Sequence, residues 1–176
     1  MKIIIVAGMP GAGKEEFLSV AVSEGIPFAR MGDVVREFFS TSADRANGSS
    51  VGEFANAERL RFGKSVWAKR IVEKMSGRLF LIDGCRSMDE VRAFKEYCDD
   101  VLIVGIHSPP EQRYERIVKR GREDAPKDLN EFNARDSREM SWGLAEVLAL
   151  SEIMIVNASS LDEFRTAAAD ILKRLR

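Results

Sequence analysis

The residues best placed to do chemistry stand near the start of the chain. Gly8-Met9-Pro10-Gly11-Ala12-Gly13-Lys14 fits the pattern G-x-x-x-x-G-K. Glycines let a backbone turn its N–H groups inward around a phosphate, and a helix that follows presents its positive end there. Lys14 reaches the β- and γ-phosphates as a mobile point charge. The pattern therefore marks a nucleotide triphosphate site, with Gly8 to Lys14 as its cradle. Where a Ser or Thr hydroxyl ordinarily ligates Mg²⁺, this chain has Glu15, followed by Glu16. Glu15 reads either as a carboxylate toward Mg²⁺ or as an acid that stabilises the start of a helix.

Other polar clusters recur at the ends of apolar runs. Gly32-Asp33 follows Ile26–Met31, with Asp33 expected to cap a helix carrying Arg36. Asp83-Gly84-Cys85-Arg86 follows the run Leu79-Phe80-Leu81-Ile82. Arg113, Arg116, Lys119 and Arg120 lie on a helix before the polar stretch Gly121–Asn130, and Arg135 and Arg138 lie after it. Of these arginines, Arg116, Arg120, Arg135 and Arg138 flank the stretch as a lid would. Arg113, Lys119 and Arg122 read as surface residues, His107 as a turn residue, and Trp67 and Trp142 as packing residues.

Positioning these groups requires a frame. Ile3–Ala7 has no helical period and suits a strand buried on both faces. Four further strands are expected at Ile26–Met31, Leu79–Ile82, Val101–Ile106 and Ile153–Val156. Helices alternate with them. Ser40–Gly52 reads as a loop, Glu53–Met75 as one helix, and Glu131 to about Leu150 as another. Capping boxes are expected at Ser87–Glu90, Ser108–Glu111 and Ser160–Glu163, the last opening a helix that buries Leu161, Phe164, Ala168, Ile171 and Leu175. Alternating strands and helices imply a three-layer α/β/α fold around a five-stranded parallel sheet, with ligands at the carboxyl ends of its strands. The expected organisation is one domain. Its core is residues 1–31, 76–120 and 131–176, with a helical insert at 32–75 and a short lid at about 121–130.

The length of 176 residues suffices for one continuous core. A formal net charge of −1 supplies no global field for nucleic acid or an anionic membrane, so neither is expected as a partner. No run approaches a membrane span, and Cys85 and Cys98 suit free thiols in a reducing cytoplasm. Oligomeric state is left open.

With these residues in view, the chain resembles the nucleoside-monophosphate kinase group of P-loop enzymes. Gly8–Lys14 looks like the adenylate kinase form of the loop, with proline before its second glycine. Gly32–Arg36 is similar to the adenylate kinase segment whose arginine holds the acceptor's phosphate. Asp83–Arg86 resembles the motif at the end of their third strand, shortened by one residue. Arg116–Arg120 resembles the helix leading into the lid, and Arg135–Arg138 the one leading out, most like that of cytidylate kinases. The whole is similar to an archaeal branch of adenylate-kinase-related proteins, with dephospho-coenzyme A kinases as neighbours.

The resemblance implies an ATP-dependent, Mg²⁺-assisted kinase acting on a phosphorylated small molecule. Lys14, Arg86, Arg120, Arg135 and Arg138 would serve the transfer. Gly8 to Glu15 and Arg116 would hold ATP, Asp33, Arg36 and Arg86 the acceptor, and Glu15 and Asp83 the metal. The glutamine with which adenylate kinases read adenine is missing after Arg86, where Glu90 stands as a capping residue. That leaves the acceptor open between a nucleoside monophosphate and a hydroxyl-bearing compound such as dephospho-coenzyme A. A nucleotide-binding switch with slow ATPase activity is the reading from another class.

Overall fold

The computed structural model describes residues 1–122 and 125–176. Strand β1 (Lys2–Gly8) leads into helix α1 (Lys14–Ser23), then β2 (Phe28–Arg30) and α2 (Met31–Ser40). Helices α3 (Ala43–Ala46), α4 (Val51–Phe62) and α5 (Val66–Ile71) follow, with a 3-10 turn at Val72–Lys74. The chain continues through β3 (Leu79–Asp83), α6 (Met88–Tyr97), β4 (Asp100–His107), α7 (Pro110–Arg120), α8 (Leu129–Ser141), α9 (Leu144–Ala149), β5 (Ile153–Val156) and α10 (Leu161–Leu175). Every strand pair is parallel, in the order β2-β3-β1-β4-β5. The expected fold class is the observed one.

Alternation along β1 explains why its run of apolar residues forms a strand. Ile3, Ile5 and Ala7 join a core with Trp67, Ile71, Phe94 and Val147 on one face of the sheet. Ile4 and Val6 join Phe17, Leu18, Phe164, Ala168 and Leu172 on the other. Burying both faces of the central strand stabilises the domain in proportion to the apolar area removed from water. It also fixes register, since a slip by one residue would exchange the two faces. With β3 on one side of β1 and β4 on the other, the strand order reverses at β1, so the ligand crevice of such a sheet opens at its carboxyl end. No described helix is long and apolar enough to cross a membrane.

Several local expectations are corrected. The second strand is shorter than Ile26–Met31. Helix α2 starts earlier than expected, its N-cap is Arg30, and Asp33 lies inside the first turn. Part of Ser40–Gly52 is helical, and Ser50 with Glu53 makes a full capping box for α4. Glu53–Met75 is broken after Phe62, where Gly63 caps α4. Ser160 and Glu163 form the expected box, but Leu161 is exposed and Leu172 takes the buried position instead. Ser87 receives the Glu90 N–H as expected, while the Glu90 carboxylate turns elsewhere. Pro109 rather than Ser108 caps α7, with Pro110 at the first helical position. Ser108 is then left to side-chain bonds with Gln112 and Arg116.

The helix expected over residues 131–150 is interrupted at Gly143, which gives Ser141-Trp142-Gly143 its structural role. Gly143 has φ +108°, and a Cβ there would stand 3.2 Å from the Arg86 carbonyl oxygen. The break lets the chain turn closely over the end of β3. Gly143→Ala is therefore expected to destabilise the fold by about 1–2 kcal/mol, the cost of forcing an L side chain into left-handed backbone. Gly52→Ala, inside α4 with open space around it, is expected to stabilise by about 0.5–1 kcal/mol. Urea denaturation of the two variants beside the parent checks the contrast.

Candidate functional site

The turn between β1 and α1 is built as a cradle and held from behind. Gly13 has φ +115°, and a Cβ there would sit 2.3 Å from the Asn157 side-chain nitrogen. Buried Asn157, just past β5, donates from Nδ2 to the Ala12 carbonyl at 2.8 Å. Arg113 donates from Nη1 to the Pro10 carbonyl at 3.1 Å. Both contacts take up carbonyls of the turn, and within it the Ala12 N–H donates to the Met9 carbonyl at 3.0 Å.

Arg113, expected on the surface, is 3% exposed. Its guanidinium spans both oxygens of Asp136 on α8, one at 2.9 Å and the other in a shorter contact, and it also donates to the Ser108 carbonyl at 3.2 Å. The correction has a plain physical basis: a buried arginine is tolerated when its donors are paired this fully. The pair ties α7 and α8, which flank residues 121–128, to the phosphate loop. Sequence reasoning missed Arg113, Asp136 and Asn157. Asn157 at least follows a strand at the sheet's carboxyl edge, the same placement that marked Asp33 and Asp83.

The cleft above the loop encloses about 600 Å³. Lys14, Arg30, Arg36, Arg86, Arg116, Arg120, Arg122 and Arg135 line it, against Glu15, Glu16, Asp83 and Glu139. Lys14 bends back, and its Nζ donates to the Gly8 carbonyl at 2.6 Å. Burial lowers its pKa, an effect opposed by the nearby Asp83 carboxylate. Asp83 ends β3, paired in register with Val6 of β1 and Arg30 of β2, which places it beside the loop. Burial raises its pKa, opposed chiefly by Lys14 and then Arg30. One oxygen is 3.6 Å from Arg30 Nε, and the other, Oδ1, is buried with no hydrogen-bond partner. A buried acceptor without a donor is unfavourable by itself and suits a cation or its water shell. Among the described residues no three acidic, histidine or cysteine side chains form a metal cluster. A hard cation here would accordingly resemble Mg²⁺ held by one or two carboxylates plus phosphates and water.

The remaining residues fall into separate groups. Arg116 donates to Ser108 Oγ at 3.0 Å and to the Asn157 carbonyl at 3.1 Å, a position beside the loop. Glu15 Oε1 and Oε2 receive the two terminal nitrogens of Arg122 at 3.0 and 2.7 Å, so Arg122, too, has a partner at the cleft. Arg120 lies 3.9 Å from the same carboxylate. The Arg122 hydrogen bonds, with the positive charge of Arg122 and Arg120, hold Glu15 below the ordinary carboxylate pKa. Arg36 reaches the cleft and pairs with Asp33, which itself does not line it.

Arg86 is held on two sides. Nε donates to Glu139 at 2.8 Å, and the guanidinium lies over the Trp142 ring at 4.9 Å. Trp142 is therefore more than a packing residue. Glu90 is buried and accepts the Arg86 backbone N–H at 2.7 Å, with Arg59 of α4 at 3.7 Å. It thus joins the third strand's motif to the helices after β2, beyond its capping role. Arg135 lines the main cleft, whereas Arg138 is exposed and borders a shallower depression with Arg135, Glu139 and Trp142. The expected lid at 121–130 includes residues 123 and 124, which lie outside the described residues.

Residues 4–140 match the AAA domain family. A UPF0200 protein of Thermoplasma volcanium is 41% identical over 171 residues, covering 97% of this chain and 96% of that protein. Among solved structures, shikimate kinase from Acinetobacter baumannii in complex with shikimate superposes with a TM-score of 0.62 at 14% identity, covering 99% of this chain and 93% of the other. Dephospho-CoA kinase from Campylobacter jejuni superposes with a TM-score of 0.59 at 16% identity, covering 99% and 97%. These structures show a P-loop kinase-like fold, and none of them singles out adenylate kinases.

Two stability outcomes follow from the buried charges. Asp136→Ala, which strands Arg113 in the interior, should cost about 3–5 kcal/mol in denaturant unfolding. Asp83 has a folded pKa raised above its ordinary 3.8, so the wild type loses stability as pH rises from that value through the raised one. Asp83→Asn should then be more stable than wild type near neutrality, and the difference should shrink as the medium is acidified. Urea titrations across pH 4–8 measure it.

Proposed function

The chain belongs to the UPF0200 family and carries the AAA domain over residues 4–140, and on that footing we propose that it transfers the γ-phosphoryl group of ATP to a nucleoside monophosphate or a related phosphorylated small molecule. One observation carries this reading. The phosphate loop and a second set of arginines, Arg36 and Arg86, line the same cleft. A site that only bound ATP would need no second anion clamp.

Phosphoryl transfer asks the protein chiefly to position two anions, neutralise charge and exclude water. Lys14 and the loop amides hold the donor's phosphates, with Arg116 beside them. Arg36 and Arg86 bind the acceptor's phosphate, where a planar guanidinium offers paired donors. Trp142 and Glu139 keep the Arg86 plane oriented for that task. Arg120 and Arg135 stabilise charge on the transferring group, and Arg138 stands outside them at the rim. Asp83 would hold Mg²⁺, with its partnerless Oδ1 as the first contact, while both Glu15 oxygens are taken up by Arg122. The ion would supply neutralisation of phosphate charge. The adenylate-kinase-related character of the reaction, and a cytoplasmic location in which Cys85 and Cys98 stay reduced, belong to the same proposal.

A hydroxyl-bearing acceptor is the second reading. Glu139 favours it, because a carboxylate on Arg86 weakens the clamp for a phosphate dianion and offers a base for an alcohol.

The test is steady-state kinetics of ATP consumption with AMP, CMP, shikimate and dephospho-coenzyme A. ATP alone should be hydrolysed slowly and one acceptor class should accelerate its use. Arg36→Ala should raise the acceptor's KM with kcat nearly kept. Arg120→Ala and Arg135→Ala should lower kcat roughly tenfold or more, about 1.4 kcal/mol per lost contact. Acceptor-dependent rates unaltered by Arg36→Ala and Arg135→Ala would remove these arginines from the mechanism.

A further inference from the structure

Two adjacent glutamates open α1, and they face different partners. Glu16 pairs with Arg165 of α10 at 2.6 Å, a contact that fastens α1 to its neighbouring helix. Glu15 reaches the residues just past α7. There it makes a two-pronged contact with Arg122, which lies 107 positions away in the chain. Arg120 approaches the same carboxylate only to 3.9 Å, beyond hydrogen-bond length.

The difference between the two arginines matters. A carboxylate and a phosphate present the same forked acceptor geometry to a guanidinium. Arg122 has both forward nitrogens committed to Glu15. Arg120 is drawn to the spot by charge, without a hydrogen bond to Glu15, and lines the cleft above the loop. Glu15, Arg120 and Arg122 are all substantially exposed, so the contact adds little to stability. Its value lies in where it places the chain.

We propose that Glu15 is a positioning residue: by its fork to Arg122 it braces the end of α7 over the phosphate loop, so that Arg120 faces the terminal phosphate of the donor. This rests on the reading of the cleft as an ATP site. It accounts for an acid where a hydroxyl is usual. It also separates the roles of two arginines that are next but one in sequence: Arg122 fastens, and Arg120 touches the nucleotide.

The alternatives differ in sign. If Glu15 merely added negative charge beside the loop, Glu15→Gln would tighten ATP binding. If it held the metal, the same change would raise the Mg²⁺ concentration needed for binding. As a brace, its loss weakens only what depends on the terminal phosphate.

The experiment is calorimetric titration with ATP and with ADP, each at several Mg²⁺ concentrations. It is done on the wild type, Arg120→Ala, Glu15→Gln, Arg122→Gln and the double variant Glu15→Gln/Arg122→Gln. Wild type should prefer ATP. Each single change should cut that preference roughly tenfold, the loss expected for one charge-assisted contact. ADP affinity and Mg²⁺ dependence should hold, and the double variant should match the worse single. A preference unchanged or increased in Glu15→Gln overturns the proposal, as does a shifted Mg²⁺ requirement, an additive double variant, or a wild type that binds ATP and ADP alike. A wild type that binds no ATP overturns the functional reading itself, which is a different result from normal ATP binding with an unaltered preference.

Discussion

A buried carboxamide keeps the phosphate loop in shape, and the rest of the site depends on that loop. Asn157 fills the space where any side chain at Gly13 would stand and bonds the Ala12 carbonyl. Arg113, itself held by Asp136, takes the Pro10 carbonyl from the other side. Both contacts go to carbonyls of the turn. The backbone of the loop is thus held in shape from its carbonyls, which is the structural content of preorganisation. Since Arg113 and Asp136 sit on α7 and α8, the same contacts fasten the helices flanking residues 121–128 to the loop.

The sheet explains why these groups meet. Placing β1 between β3 and β4 brings the ends of all three strands to one edge, with β5 beyond β4. Asp83, Ser108 and Asn157 come from widely separated parts of the chain and converge there because parallel strands present equivalent ends. A chain with a net charge of −1 thereby concentrates cationic side chains in one crevice. Low-dielectric walls strengthen the field of such a cluster and favour a polyanion over a neutral ligand. Asp83 is the counterpoint. Its unpartnered oxygen is a cost to the folded state near neutrality, retained at the point where a cation would be useful.

Much of this was legible in the sequence. The apolar run Ile3–Ala7, ending at Gly8, reads as a buried strand feeding a phosphate loop. Capping patterns at Ser87 and Ser160 located helices to within a residue. Legibility failed where one residue's role is set by distant ones. Gly143 sits within a helical pattern, and only the Arg86 carbonyl packed against it shows why the helix must break. Arg113 has the spacing of a surface arginine until Asp136 and Pro10 surround it. Glu15 looked like a departure from a pattern, and its partner Arg122 lies beyond any local rule. Asn157 could have been found, because it follows a strand at the edge that had already drawn attention to Asp33 and Asp83.

The claim at the centre of this account is that ATP with Mg²⁺ binds at Gly8–Lys14. The most direct measurement is calorimetric titration of the wild type and Lys14→Ala with ATP in the presence of Mg²⁺, alongside a thermal-shift series that reports ligand-linked stability. The account predicts one saturable site in the wild type and a melting temperature that climbs with ATP concentration. It predicts that both are lost in a Lys14→Ala protein that remains folded. Equal ATP affinity in the two proteins would contradict it.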